Sequence, residues 1–533
     1  MSESVLPAEP ARQEPSLPDR LSAWGDRFSD RLNPILVKET RQALKSRQFT
    51  ITFMLLLIVA WLISVIFTVW AGATLEFGSA GRALFIYYYF ALVVAVLLVV
   101  PFNTFRSMIT ERDQNTYELL SISTLTPGQI VRGKLNSSMA QVLIYYSAIA
   151  PFIAFTSLLQ GFDLPLVAYM LVMTFLWAAM TCMVALTIST LSGNRQWQAF
   201  NTIGIILLLI WQVGGILGTG AYSVAQSLPV DDHEFWWVTG FCLLAAGSYF
   251  VLFQQIAISQ LTFESDNRST GIRVTSTIQL FLAWLILFLA ATVSGVRDLV
   301  EVVVTFPTLH IFTVGLFAST ENDFLSRRIR RTLPRPAALR YLKSPLLPGG
   351  SCGFLYVLLH MAVIASISQW NFCGLAASQH RTMARLGIVL SCYSMIYLGF
   401  GAIAGRWCRK ITPAFRPIHT RVLIILIAIL AMLVPYLLPG LGLVNPWLGY
   451  SLFELTNPFA TIDMLYRQGN DVGSTSMGEV AKSILLFAAS LAVIVNLRWM
   501  ISGVIKLKRY EPNSTDPETH SAPADTQTTA PTS

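Results

Sequence analysis

Phe105 to Leu135 reads FRSMITERDQNTYELLSISTLTPGQIVRGKL, a charged, helix-signalled stretch inside an N-terminal half that is otherwise nearly all apolar. Hydrophobic runs of spanning length flank it on both sides, so its charges place it outside lipid and make its neighbours the second and third membrane spans. Composition agrees. The chain is 54% hydrophobic and only 12% charged, with a mean hydropathy of +0.58, where soluble domains carry roughly 25% charged residues. The reading is an all-α polytopic integral membrane protein.

Working outward, the residues before Pro18 are rich in Pro, Glu and Ser and lack the apolar core of a signal peptide. Leu21, Trp24, Phe28 and Leu32 recur at helical spacing among charges, the pattern of an interfacial or surface-packed helix. Asn33 and Pro34 then supply an N-cap and a first-turn proline for NPILVKETRQALKSRQF, whose Lys38, Arg41, Lys45 and Arg47 precede the first span. Apolar runs are expected to cross the membrane at about 50–71, 84–105, 139–159, 164–186, 200–220 and 236–258, and again at about 278–296, 300–317, 353–370, 386–405, 422–441 and 484–505. That predicts about twelve spans in two six-helix halves.

Basic residues test the count, because Lys and Arg accumulate on cytoplasmic loops. Arg106, Arg112, Arg132, Lys134, Arg195, Arg268, Arg273, the run from Arg327 to Lys343, Arg406 to Arg421 and Lys506 to Arg509 fall on one side, against Arg82, Arg297, Arg381, Arg385, Arg467 and Lys482 on the other. Roughly five of six basic residues would therefore face inward, with both termini cytoplasmic. The expected organisation is a tail and interfacial helix over 1–32, a six-span domain over 33–258 with its polar region at 106–134, a second six-span domain over 259–510, and a disordered Thr/Pro/Ser-rich tail over 511–533.

Little in the chain reads as catalytic. Six scattered cysteines form no CxxC pair and suggest neither a metal site nor disulfides. The net charge of +8 fits cytoplasmic loops better than nucleic acid, which is not an expected partner. Gly128 to Lys134 fits the first seven positions of a phosphate-binding loop, but Leu135 stands where a Ser or Thr would hold Mg²⁺ and no strand precedes it. His360 lies inside a span, where hydrogen-bonded packing outweighs an acyltransferase role. The acidic loops over 221–235 and 442–482 read as solvated charge. Gln141, Asn201, Gln212, Gln254, Gln255 and Gln279 read as interhelical glue, and Gly214/Gly218 and Gly401/Gly405 have GxxxG spacing.

Two stretches carry a resemblance. ERDQNTYELLSISTLTPGQIVRGKL resembles the ERExGTLExLLxTPLSxxEIxxGKxL pattern of permease subunits of the type-2 ABC transporter family, and NPILVKETRQALKSRQF resembles that family's NPVLxKELRxxLRxR entry helix. Glu111, Arg112, Thr116, Glu118, Leu119, Leu120, Pro127, Ile130, Gly133 and Lys134 match, while Asn115 replaces the usual Gly and Gln129 the usual Glu. The resemblance covers the first six spans. It implies that 106–134 is a coupling region received by a separate ABC ATPase, with Asn33, Pro34, Lys38, Glu39 and Arg41 on the cytoplasmic entry helix. It further implies that this chain binds no cofactor, ATP being held by the partner, and that a substrate path runs between two permease copies, as in a homodimer, or between halves. The second six spans contain no recognisable second copy of this polar stretch.

The function expected is that of an export permease in a cell membrane, the cytoplasmic membrane if bacterial, in contact with membrane lipid and not itself an enzyme. The competing readings are a secondary transporter, which would be expected to hold an acidic residue deep in a span, and a membrane-embedded transferase acting on a lipid-linked substrate.

Overall fold

A computed structural model describes residues 34–70, 80–113, 125–159, 164–191, 195–226, 228–293, 302–370, 377–412, 414–440, 452–468 and 475–508. Every regular element among them is helical, as apolar spans require, because lipid offers no partner for backbone polar groups. The interfacial helix expected over 21–32 and the C-terminal tail lie outside the described residues.

The chain divides into two compact units, Met1–Leu261 and Thr262–Ser533. The first contains α1 (Pro34–Leu44), α2 (Arg47–Trp70), α3 (Ala80–Val94), a π-helical turn (Ala95–Val99), α4 (Val100–Asp113), α5 (Pro127–Thr156), α6 (Leu164–Thr190), α7 (Arg195–Gln226) and α8 (His233–Leu261). The second contains α9 (Thr270–Val293), α10 (Val302–Ala318), the short α11 (Arg327–Thr332) and α12 (Ala337–Leu342), then α13 (Gly350–Ser368), α14 (Ala377–Ile411), α15 (Pro417–Gly440), α16 (Pro458–Gln468) and α17 (Thr475–Ile505). Eleven helices among the described residues are long and apolar enough to cross a membrane, and α10 is a shorter apolar helix that contains Pro307. The chain is a multi-pass, all-α membrane protein.

Large apolar side chains lie on its outer faces as well as in its core. Ile51, Leu55, Ile58 and Trp61 of α2 and Phe200, Leu207 and Trp211 of α7 all point outward, as expected where lipid is the solvent and helix association relies on packing and hydrogen bonds rather than on hydrophobicity. In the first unit Tyr88, Leu92, Val96, Leu97 and Val100 form the buried spine. Short polar contacts stitch it to its neighbours: Ser64 to Tyr88 at 2.6 Å, Tyr89 to Thr174 at 2.8 Å and Thr104 to Ser138 at 2.7 Å. The π turn loosens the regular ladder, and at this turn the Leu97 carbonyl accepts from Gln212 Nε2 at 3.0 Å. Thr181 in turn donates to Gln212 Oε1 at 3.2 Å.

In the second unit α14 is central, with Leu386, Val389, Tyr393 and Leu398 buried. The two GxxxG pairs behave differently. A Cβ at Gly401 would sit 2.2 Å from Ile424 Cγ1 and one at Gly405 2.4 Å from Thr420 Cγ2, whereas Gly214 and Gly218 have nothing within 4 Å. The loop expected over 442–482 contains α16, capped by Asn457 Oδ1 accepting from Phe459 N at 2.9 Å and anchored by buried Met464 and Leu465, while its Asp463 is exposed. Tyr393 secures its N-terminal side by bonding Leu455 O at 2.6 Å.

Candidate functional site

The polar stretch is shorter than its sequence suggests, because helices invade it from both ends. α4 continues through Glu111 and Arg112 to Asp113, and α5 begins at Pro127. Thr126 caps α5 reciprocally with Gln129: the Thr126 hydroxyl accepts from Gln129 N at 3.4 Å, and Gln129 Oε1 accepts from Thr126 N at 2.9 Å. The departure from the usual Glu at position 129 thus preserves the capping chemistry. A single helix runs from Pro127 to Thr156.

That geometry removes the phosphate-loop resemblance. Gly128 to Lys134 occupies the first turns of α5, so its amide groups serve a helix instead of lining a loop. Lys134 is 3% exposed and is held by two carboxylates, Glu111 Oε1 at 2.7 Å and Glu39 Oε2 at 3.4 Å. Glu39 comes from α1 and Glu111 from the end of α4. Residues of the entry helix and of both flanks of the polar stretch therefore meet on one buried ammonium.

Desolvating a lysine costs several kcal/mol unless it is paired and hydrogen-bonded, and here two carboxylates supply that pairing. Ile130 and Gly133 share the buried side of α5 with Lys134, alongside Gly128, Val131 and Leu135. Pro127 is half-buried, whereas Lys38 and Arg41 are exposed on α1. Pro34 is the first residue of α1 and Arg112 lies within α4. Asn33, Thr116, Glu118, Leu119 and Leu120 fall outside the described residues. Gln198 Nε2 of α7 donates to Asp113 Oδ1 at 3.1 Å, tying the end of α4 to α7 as well.

The second unit contains a polar knot that sequence reasoning missed. Arg273, counted as a loop charge, is 1% exposed. Its guanidinium reaches Glu321 Oε2 at 2.8 Å and donates to the carbonyls of Pro345 at 2.9 Å, Gly349 at 3.1 Å and Leu347. Asp323 accepts from Ser351 N at 2.9 Å and from Trp499 Nε1 at 2.6 Å, and the Arg406 guanidinium lies 4.0 Å above the Trp499 ring. The available signal was Ser319 to Asp323, STEND, an acidic pair directly after an apolar helix that needed a basic partner.

His360 is engaged at both ring nitrogens, Nδ1 with Tyr356 O at 2.7 Å and Nε2 with Thr277 Oγ1 at 3.0 Å. Such a ring is a structural tie within the helix packing. Among the described residues no cluster of His, Cys, Asp and Glu has the make-up to hold a metal ion.

Compared with known protein families, with curated proteins and with solved structures, the chain matches none.

Proposed function

We propose that this chain is the membrane-spanning permease subunit of an ABC-type exporter, driven by ATP hydrolysis in a separate ATPase subunit. One observation carries the reading: the two family-like stretches, far apart in sequence, are joined through Lys134 to Glu39 and Glu111. A region that receives force from a partner needs to be stiffly tied to the spans it moves, and this triad ties together α1, α4 and α5, the last two being the helices before and after residues 114–124 in the chain.

The roles within the coupling set then separate by burial. Ile130, Gly133 and Lys134 face the interior, so they act as positioning residues. Contact with the ATPase falls to the 114–124 segment, Glu118, Leu119 and Leu120 among it. ATP-driven closure of the partner would push this segment, and the Lys134 triad would pass the displacement to α1, α4 and α5, alternating access to a path across the membrane. The Lys and Arg distribution supports cytoplasmic termini, and in a bacterium the location would be the cytoplasmic membrane.

The engaged state of His360 weighs against the transferase reading, because a general base needs a nitrogen free for substrate. The test is co-purification of the full chain with the ATPase encoded nearest to it, followed by ATP hydrolysis in liposomes, with and without changes across Glu111 to Glu118. Association that is lost on mutation supports the proposal. A chain that ignores every ATPase overturns it.

A further inference from the structure

The π turn at Ala95–Val99 lies in the middle of the span that runs from Gly81 to Glu111, and Pro101 follows it closely. A proline has no N–H, and its ring crowds the carbonyl four residues back, here that of Leu97. The π turn supplies the room: Val100 N donates to Ala95 O, one residue further back than an α ladder would take it. Prolines and π turns are where long helices bend, and in this span the two adjoin.

The span is bonded differently on the two sides of this joint. Before it, Tyr88 holds to Ser64 of α2 at 2.6 Å. After it, Thr104 holds to Ser138 of α5 at 2.7 Å, and Glu111 to Lys134 of α5 at 2.7 Å. α6 runs past the joint, giving Thr174 to Tyr89 on one side and packing along α4 on the other.

At the joint itself, Gln212 of α7 reaches both partners. Its Nε2 donates to Leu97 O at 3.0 Å, and its Oε1 accepts from Thr181 Oγ1 of α6 at 3.2 Å. Gln212 and Thr181 are both buried. The Thr181 hydroxyl has one proton and a second acceptor within reach, Trp177 O of its own helix at 2.9 Å. Turning to Trp177 leaves Thr181 satisfied and withdraws one of the bonds that hold Gln212. Rotation of a single hydroxyl therefore tightens or loosens the contact, and no packed side chain has to be displaced.

We infer that the π turn and Pro101 form a hinge in this span and that Gln212 is its latch. Engaged, Gln212 fixes the angle between the half that carries Tyr88 and the half that carries Glu111; released, it lets the second half turn against the first. The hinge belongs to the first unit alone and does not depend on what drives it.

The test uses the full-length chain in lipid nanodiscs with no ATPase present, so its failure leaves the permease reading untouched. Genetically encoded nitroxide side chains replace Tyr87 and Arg106, both exposed and on opposite sides of the joint, and double electron–electron resonance reads the distance between them. Gln212→Leu should widen that distance distribution and speed amide exchange over 95–104 by about fivefold, with exchange in the rest of the first unit unchanged. Pro101→Ala returns an N–H to the ladder, so it should narrow the distribution, and in that background Gln212→Leu should have little further effect. A glutamine that only filled space would act equally in both backgrounds. Should Gln212→Leu fail to fold, Thr181→Val, which keeps the shape and removes the hydroxyl, should widen the distribution in the same way. A distribution unchanged by the latch variants overturns the inference, as does equal widening with and without Pro101. Faster exchange throughout the first unit would mark general loosening and overturn it equally.

Discussion

Lys134 and Arg273 are the two basic residues whose environment most departs from their sequence context. Counting Lys and Arg along loops treats every cation alike, and both were counted as loop charges, yet each is buried at the end of an apolar helix and organises the segments around it. Their side chains suit their tasks. Lys134 is a point charge between two carboxylates, whereas Arg273 serves several acceptors at fixed angles, which a planar fork of five donors can do and an ammonium cannot. Lys134→Gln should therefore leave two carboxylates around a neutral amide and lower stability by about 3–5 kcal/mol, read as a fall in the melting temperature of the detergent-solubilised chain. Replacing all three charges, Glu39→Gln/Glu111→Gln/Lys134→Met, should recover most of that loss, because no buried charge is then unpaired. If the triple variant melts no higher than Lys134→Gln, the ion pairs are not the cause. Arg273→Lys keeps the charge and should still destabilise, because the carbonyls of Pro345, Leu347 and Gly349 lose donors. A melting temperature matching wild type would show that the carbonyl contacts contribute nothing.

At the scale of elements, the spans were legible because lipid demands long apolar helices, and a run of eighteen or more residues announces itself. What links one span to another was not. Two GxxxG pairs have the same spacing, but only Gly401 and Gly405 meet a neighbouring helix, since spacing states which face a glycine occupies and not whether another helix is there. Likewise Gln212 reads as a generic polar residue in a span until the π turn brings it to Leu97 O, and a π turn has no sequence signature. Replacing Gln212 with Leu should cost about 1–2 kcal/mol by leaving that carbonyl without its donor, measurable as a lower melting temperature and faster hydrogen exchange around Ala95–Val99. Glycine substitutions give a paired contrast. At Gly353 a Cβ would lie 2.0 Å from the Ala318 carbonyl oxygen, backbone that cannot step aside, so Gly353→Ala should destabilise by about 1–3 kcal/mol. Gly214→Ala meets open space and should be neutral or stabilising by up to about 1 kcal/mol. Equal effects at the two positions would contradict the packing of α13 on α10.

At the scale of the whole molecule, the two units are each internally compact, and the family-like stretches belong to the first. The entry helix and the polar stretch were legible separately; the triad that unites them was not, because no local pattern reports a partner from another helix. This arrangement makes a prediction that separates holding from docking. Charge reversal by Glu118→Arg lies outside the buried triad, so the variant should insert normally and melt with wild type, while its association with the ATPase and the ATP hydrolysis of the complex fall. On the permease reading Lys134→Gln should depress both stability and association, because it unpairs the carboxylates through which α1 and α4 are held to α5. The decisive comparison is the ratio of bound ATPase per folded chain in the two variants, measured after removing aggregate by size exclusion. If Glu118→Arg binds the ATPase and supports hydrolysis like wild type, the segment is an elbow between spans and not a docking surface. If both variants lose association in strict proportion to lost folded protein, the triad and the segment act through stability alone.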